Sequence, residues 1–397
     1  MQNYETNPRR ANWVCGEKSV RDVFTLGCLH KLGLFRVFTR GAPPVRPNDP
    51  HAIPLCETML LMARIAFGLG TSHGPMLSIP VQYWADRVSA DRENPAHPYK
   101  GKTYTFDQMA ELLQDQNLAA QITPEVCEER HARCQKAITC LADIFAASKP
   151  DVAVVLGNDQ MEVFDEGHVP AFAVFWGKFV EGHPRTPEFL AKLNPGVARA
   201  EKDRTPPVYT EYPTLPDMGR HIIQSVMAQG FDVTQLTRLP SGAIGSNAAP
   251  HAYGFVYRRI MRDKVPPHVP VFVNTFYPPN QPSAARCFQF GRALARAIQT
   301  FPGDSKVAVI ASGGLTHFVV DESFDREVLA AIEAGDEAAI TRIPDNMFQA
   351  GTSEIKNWIV GAGIMAEAGL KMRLLDYVPC YRSLAGTGSA MGFAHWS

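Results

Sequence analysis

Four short, nearly continuous apolar runs, each rich in β-branched residues and closed by a turn, constrain this chain most. They are Arg64–Gly68 (RIAFG), Asp151–Gly157 (DVAVVLG), Pro270–Phe276 (PVFVNTF) and Lys306–Ser312 (KVAVIAS). A strand with one wet face alternates apolar and polar residues, whereas a run without alternation suits a sheet covered on both sides. The covers are predicted by helical spacing over Pro124–Ser148, Ser283–Phe301, Phe324–Ala334 and Glu354–Ala368, with Ser283 as an N-cap after Pro282. Strands alternating with helices predict an α/β fold: a single large domain with a central mixed β-sheet flanked by helices.

Charge and composition narrow the partners. The chain has 397 residues, 45% apolar and 20% charged, with a formal net charge of −1. No strong field draws it to nucleic acid or an anionic membrane. No apolar run approaches the roughly 18 residues of a membrane span. Eight cysteines without a CxxC pair fit a reduced, cytoplasmic protein better than a disulfide framework or zinc knuckle. Residues 1–60 contain NPRRANW, GAPPVRP and NDPHAIP, with weak periodicity and no signal-peptide pattern. A cleaner beginning appears at Met62, with Met59 as another possible start. Residues 1–60 therefore read as an N-terminal extension: an appendage or an upstream extension of the reading frame is one reading, and an arm packed on the domain or on a neighbouring subunit the other. Residues 61–397 read as the main domain, with an insert at about 91–125. Asp91–Thr105 and Asn194–Pro216, rich in proline and charge, are too long for simple connections and read as lids or subunit contacts.

Ligands of open α/β sheets bind beyond the carboxyl ends of the strands. The four runs are followed there by Thr71-Ser72-His73, by Asn158-Asp159-Gln160, by Tyr277-Pro278-Pro279-Asn280 and by Gly313-Gly314-Leu315-Thr316-His317. One strand-end histidine is commonly structural, but several polar groups on one rim point to a site. Downstream, Glu354 in GTSE opens an apolar helix, where the helix dipole favours a carboxylate. His251 stands at the head of PHAYGFVY.

In their order, GTSHGPML, NDQ…VPAF, PHAYGFVY, PVFVNTFYPPNQPSAARCFQFGRAL, ASGGLTHF, the GTSE helix and SLAGTGSAMGF make residues 62–397 resemble a known family. It is that of the class III extradiol ring-cleavage dioxygenases, of the type of the protocatechuate 4,5-dioxygenase β subunit. The TSHGPML start and the 91–125 insert are more similar to its gallate and O-methylgallate branch. The resemblance implies a mononuclear non-haem Fe(II) site that opens a catecholic or galloyl aromatic acid with O2. It places His73 and Glu354 on the metal, His317 as acid–base catalyst and His251 beside the substrate. Thr275, Ser389 and Arg382 are the expected substrate donors, with Arg286 as a further candidate and Phe272, Phe276 and Tyr277 as apolar wall. A homo-oligomer is expected, as in relatives that cover their sites with a second chain.

One position departs from the pattern. The family has histidine where this chain has Gln160, so the implied third ligand is a neutral amide oxygen, a weak donor to Fe(II). Three readings stay open. His168 could substitute. Gln160, Asp159 or Glu162 could ligate weakly. Or the histidine-lined pocket could work with little or no metal, as a decarboxylase or C–C hydrolase of a phenolic or enolic acid.

Overall fold

The computed structural model describes residues 61–242 and 247–397. The expected extension over residues 1–60, with its alternative start at Met59, lies outside the described residues. Eight strands form one sheet: Arg64–Thr71 (β1), Val152–Gly157 (β2), Phe172–Phe175 (β3), Thr234–Leu236 (β4), His268–Val273 (β5), Lys306–Ser312 (β6), Met372–Tyr381 (β7) and Gly388–Trp396 (β8). Their order is β7-β8-β1-β6-β2-β5-β3-β4. The centre, β1-β6-β2-β5, is parallel, while β8 runs antiparallel to β1 and β3 antiparallel to β5. The sheet is therefore mixed, as the runs predicted, and those four runs are its parallel centre.

Continuous apolarity follows from two covered faces. Along β2, Val152, Val154 and Leu156 enter one core and Ala153 and Val155 the other. Six helices build the two cores and the rim: Pro124–Ser148 (α1), Pro216–Ala228 (α2), His251–Phe255 (α3), Ala284–Gln299 (α4), Glu322–Ala334 (α5) and Ile355–Ala368 (α6). Residues of α2, α4, α5 and α6 fill the first core, and those of α1 and α3 fill the second. Helix α1 starts where Pro124 follows the Thr123 cap, whose hydroxyl accepts from the Val126 amide at 3.4 Å. The predicted Ser283 cap is present too, accepting from Arg286 N at 3.2 Å. Gly291 of α4 and Gly363 of α6 sit where any Cβ would strike the facing helix backbone, which lets these two helices cross in contact.

The register places the site. Thr71 pairs with Ser312, and Gly157 pairs with Phe272, so the carboxyl ends of the parallel strands share one edge. The insert region carries a small hairpin, His97–Tyr99 with Lys102–Tyr104, and helices Phe106–Leu112 and Leu118–Gln121.

Candidate functional site

A cavity of about 250 Å³ opens beyond that edge, lined by His73, Gln160, His251, His317 and Glu354 among others. This lies just below the usual range for small-molecule pockets, about 300–1,000 Å³, and suits a one-ring ligand.

Each imidazole is held from behind. His73 follows β1, and its Nδ1 lies 2.9 Å from Ser312 Oγ at the end of β6. That hydroxyl donates to the Ala252 carbonyl at 2.7 Å, so it must accept from His73. The Nε2 of His73 then carries a lone pair toward the cavity. His251 comes from α3, which Tyr253 ties to the strand ends by donating to the Val271 carbonyl at 2.8 Å. The Nδ1 of His251 bonds the Glu162 carboxylate, which also accepts from the His251 backbone amide at 3.0 Å. The Nδ1 of His317 donates to the Leu315 carbonyl at 2.8 Å, leaving its Nε2 free, 3.8 Å from Glu354 Oε1.

Glu354 precedes α6 and is buried at 2% exposure. Its Oε2 accepts from Gly314 N at 2.8 Å; its Oε1 accepts from Gln160 Nε2 at 2.8 Å and Asn158 Nδ2 at 3.3 Å. Burial opposes its charge, but the histidines around it, His73 foremost, outweigh burial and hold the carboxyl well below its ordinary range. Burial lowers His73, against the pull of Glu354. Burial opposes charge on His251 also, yet Glu162 overcomes it and raises the imidazole. The glycines of ASGGLTHF make room rather than a left-handed turn. A Cβ on Gly314 would come within 2.6 Å of His317 Cε1, and one on Gly351 would enter the same ring.

His73 Nε2 lies 3.1 Å from His251 Nε2 and 3.3 Å from Glu354 Oε2. Donor atoms of these three residues all lie within 4.8 Å of one another. Two imidazoles and a carboxylate are a donor set suited to a divalent first-row metal with open positions, so the residues present fit the implied ion.

The other expected residues separate. Ser389 lines the cavity. Arg382 reaches it too, but its guanidinium is taken by Asp91, with Nε and Nη2 each 2.7 Å from a carboxylate oxygen. The Thr275 hydroxyl is buried and unpaired among the described residues, and the residue is not part of the cavity wall. Arg286 is given to the Gly230 carbonyl at 2.9 Å. Phe272 and Tyr277 border a separate small hollow. The apolar wall comes instead from Phe189, Leu193, Val197, Phe318, Met76 and Met391. His168 is 87% exposed and pairs with Asp165, away from the cavity. Asp159 spends its carboxylate on the amides of Glu162, Val163 and Phe164. Sequence reasoning missed Arg87 and Arg204, both on the wall. Arg204 lies in the proline-rich Asn194–Pro216 stretch, whose charge was its only signal.

Gallate dioxygenase of Pseudomonas putida is 35% identical over 108 residues, 26% of this chain and 29% of that protein. The chain thus spans under a third of that relative's length. The crystal structure of uncharacterized protein JW3007 from Escherichia coli K12 aligns over 84% of this chain and 100% of its own, at 12% identity and a TM-score of 0.40. Residues 119–388 match the family described as the catalytic LigB subunit of aromatic ring-opening dioxygenase, and with more than half its length in that match the chain belongs to this family.

Proposed function

We propose that this protein opens a catecholic or galloyl ring bearing a carboxylate, using O2, at a mononuclear Fe(II) site that includes His73 and Glu354. The observation that carries the reading is the convergence of His73, His251, His317 and Glu354 on one cavity of single-ring size. A bound ferrous ion would supply positive charge that favours the ionised diol, and open positions for diol and O2.

The chain's own groups do the rest. His317 Nε2, unshared because Nδ1 holds the Leu315 carbonyl, accepts a ring-hydroxyl proton and later returns it. Glu354 stays ionised under three donors. Phe189, Leu193, Val197 and Phe318 exclude water from the ring. Arg87 offers its cation to the carboxylate, and Ser389 a hydroxyl.

The test is O2 uptake by Fe(II)-loaded protein with gallate, O-methylgallate and protocatechuate. Uptake matched to ring opening is expected, and His317→Ala should lower turnover by about 10²–10⁴-fold. Turnover of such acids that persists under strict anaerobiosis and chelation would instead establish metal-free decarboxylation or hydrolysis.

A further inference from the structure

We propose that the second histidine of the metal face is His251, and that Gln160, at the position where the resemblance expects a ligand, positions Glu354. The inference rests on the metal-dependent reading above.

Two observations carry it. The first is the meeting of two ring nitrogens. His73 carries its proton on Nδ1, because Ser312 Oγ must accept there, so its Nε2 lone pair faces the cavity. His251 directs its Nδ1 proton to Glu162, and its Nε2 lies 3.1 Å from His73 Nε2. A proton on His251 Nε2 bridges the two rings in the metal-free protein, and a metal ion takes the place of that proton between the same two nitrogens. With metal–ligand bonds of about 2.0–2.2 Å, two ligands at right angles lie about 3 Å apart. The 3.1 Å and 3.3 Å separations about His73 Nε2 match that spacing.

The second is the use of Gln160. Its Nε2 is donated to Glu354 Oε1 at 2.8 Å, beside Asn158 Nδ2 on the same oxygen. That leaves Glu354 Oε2, the oxygen nearer His73, as the inward ligand atom. A carboxylate behind a ligating imidazole, as Glu162 stands behind His251, is the usual outer support of a metal-bound histidine. His251 reaches the site from α3, so a ligand lost after β2 is replaced from another element.

The experiment counts imidazoles. Anaerobic wild-type protein is titrated with Fe(II), and Cu(II)-loaded protein is examined by pulsed EPR for coupled histidine nitrogens. One metal per chain with two coordinated imidazoles is expected. His251→Ala should reduce the count to one and weaken Fe(II) binding beyond the roughly 10–100-fold cost of outer-support changes. Glu162→Gln and Gln160→Ala should stay within that range and keep both imidazoles. A single imidazole in the wild type overturns the assignment without recourse to any variant, while leaving a metal site. Greater loss in Gln160→Ala than in His251→Ala overturns it too. No metal uptake by the wild type removes the proposed function and this inference together.

Discussion

Arg87 lines the cavity with no hydrogen bond or ion pair among the described residues. Asp91, the carboxylate whose charge acts on it, is committed to Arg382 and Thr387. Burial and then the neighbouring Arg382 lower its pKa to about 10, so it is still a cation at neutral pH. An unpaired guanidinium beside a one-ring cavity is costly unless an anion joins it. Under the proposed function that anion is the substrate carboxylate. Hydrogen bonds to charged groups contribute about 1.5–3 kcal/mol. Arg87→Met should therefore raise KM for gallate-type acids roughly 10- to 100-fold, with a smaller change for an uncharged catechol. Steady-state kinetics on the two substrates decide it, and an equal rise for both would remove Arg87 from carboxylate recognition. Such a residue is hard to find in the sequence. Arg87 lies in the Val81–Arg87 turn, in no recognised motif, and only the folded path brings it to the cavity that Glu354 also lines. His251 was named from PHAYGFVY and Glu162 as a possible weak ligand, but their pairing across 89 positions was not legible. His73, His317 and Glu354 were legible because strand ends and a helix start fix them locally.

Elements show the same division. The parallel centre was readable because strands buried on both faces must be apolar throughout, and α1 because a Thr–Pro start and long periodicity mark it. The β7–β8 hairpin was hidden by Pro379 and by the glycines of GTGSAMGF, and β3 and β4 were too short to stand out. Strand β5 begins at His268, earlier than the apolar run suggests. That imidazole is fully buried, with Nδ1 donating to the Pro213 carbonyl at 2.6 Å and Nε2 accepting from Tyr257 OH at 2.6 Å. It joins β5 to the Thr210–Pro213 strand and to the turn after α3. Burial lowers its pKa to about 4, below the ordinary 6.5. Between those values the unfolded chain binds a proton that the folded one refuses, so stability falls as pH drops from 6.5 to 4. The slope from this one group is about 1.4 kcal/mol per pH unit. Urea unfolding across that range should show a shallower slope in His268→Gln than in the wild type. Equal slopes would mean that the imidazole charges within the fold.

At the scale of the whole molecule, the candidate ligands come from separate parts of the fold. His73 follows β1, His251 heads α3 and Glu354 opens α6, while His317 follows β6. The parallel centre makes this possible, because its register sets the ends of β1, β6, β2 and β5 on one edge. Helices α3 and α6 belong to opposite cores, so a metal held by His251 and Glu354 would link the two faces of the sheet through their shared rim. Unfolding separates these ligands, and an ion that binds only the folded arrangement stabilises it by mass action. At a hundredfold excess of free ion over its dissociation constant the gain is about 2.7 kcal/mol. Anaerobic thermal melts with Fe(II) or Co(II) should therefore show a midpoint that rises with ion concentration, in the wild type and in Arg87→Met alike. The rise should nearly vanish in Glu354→Ala. Were that variant's midpoint to climb as the wild type's does, the stabilising ion would be binding elsewhere, and the strand-end cavity would lose its claim to be the metal centre.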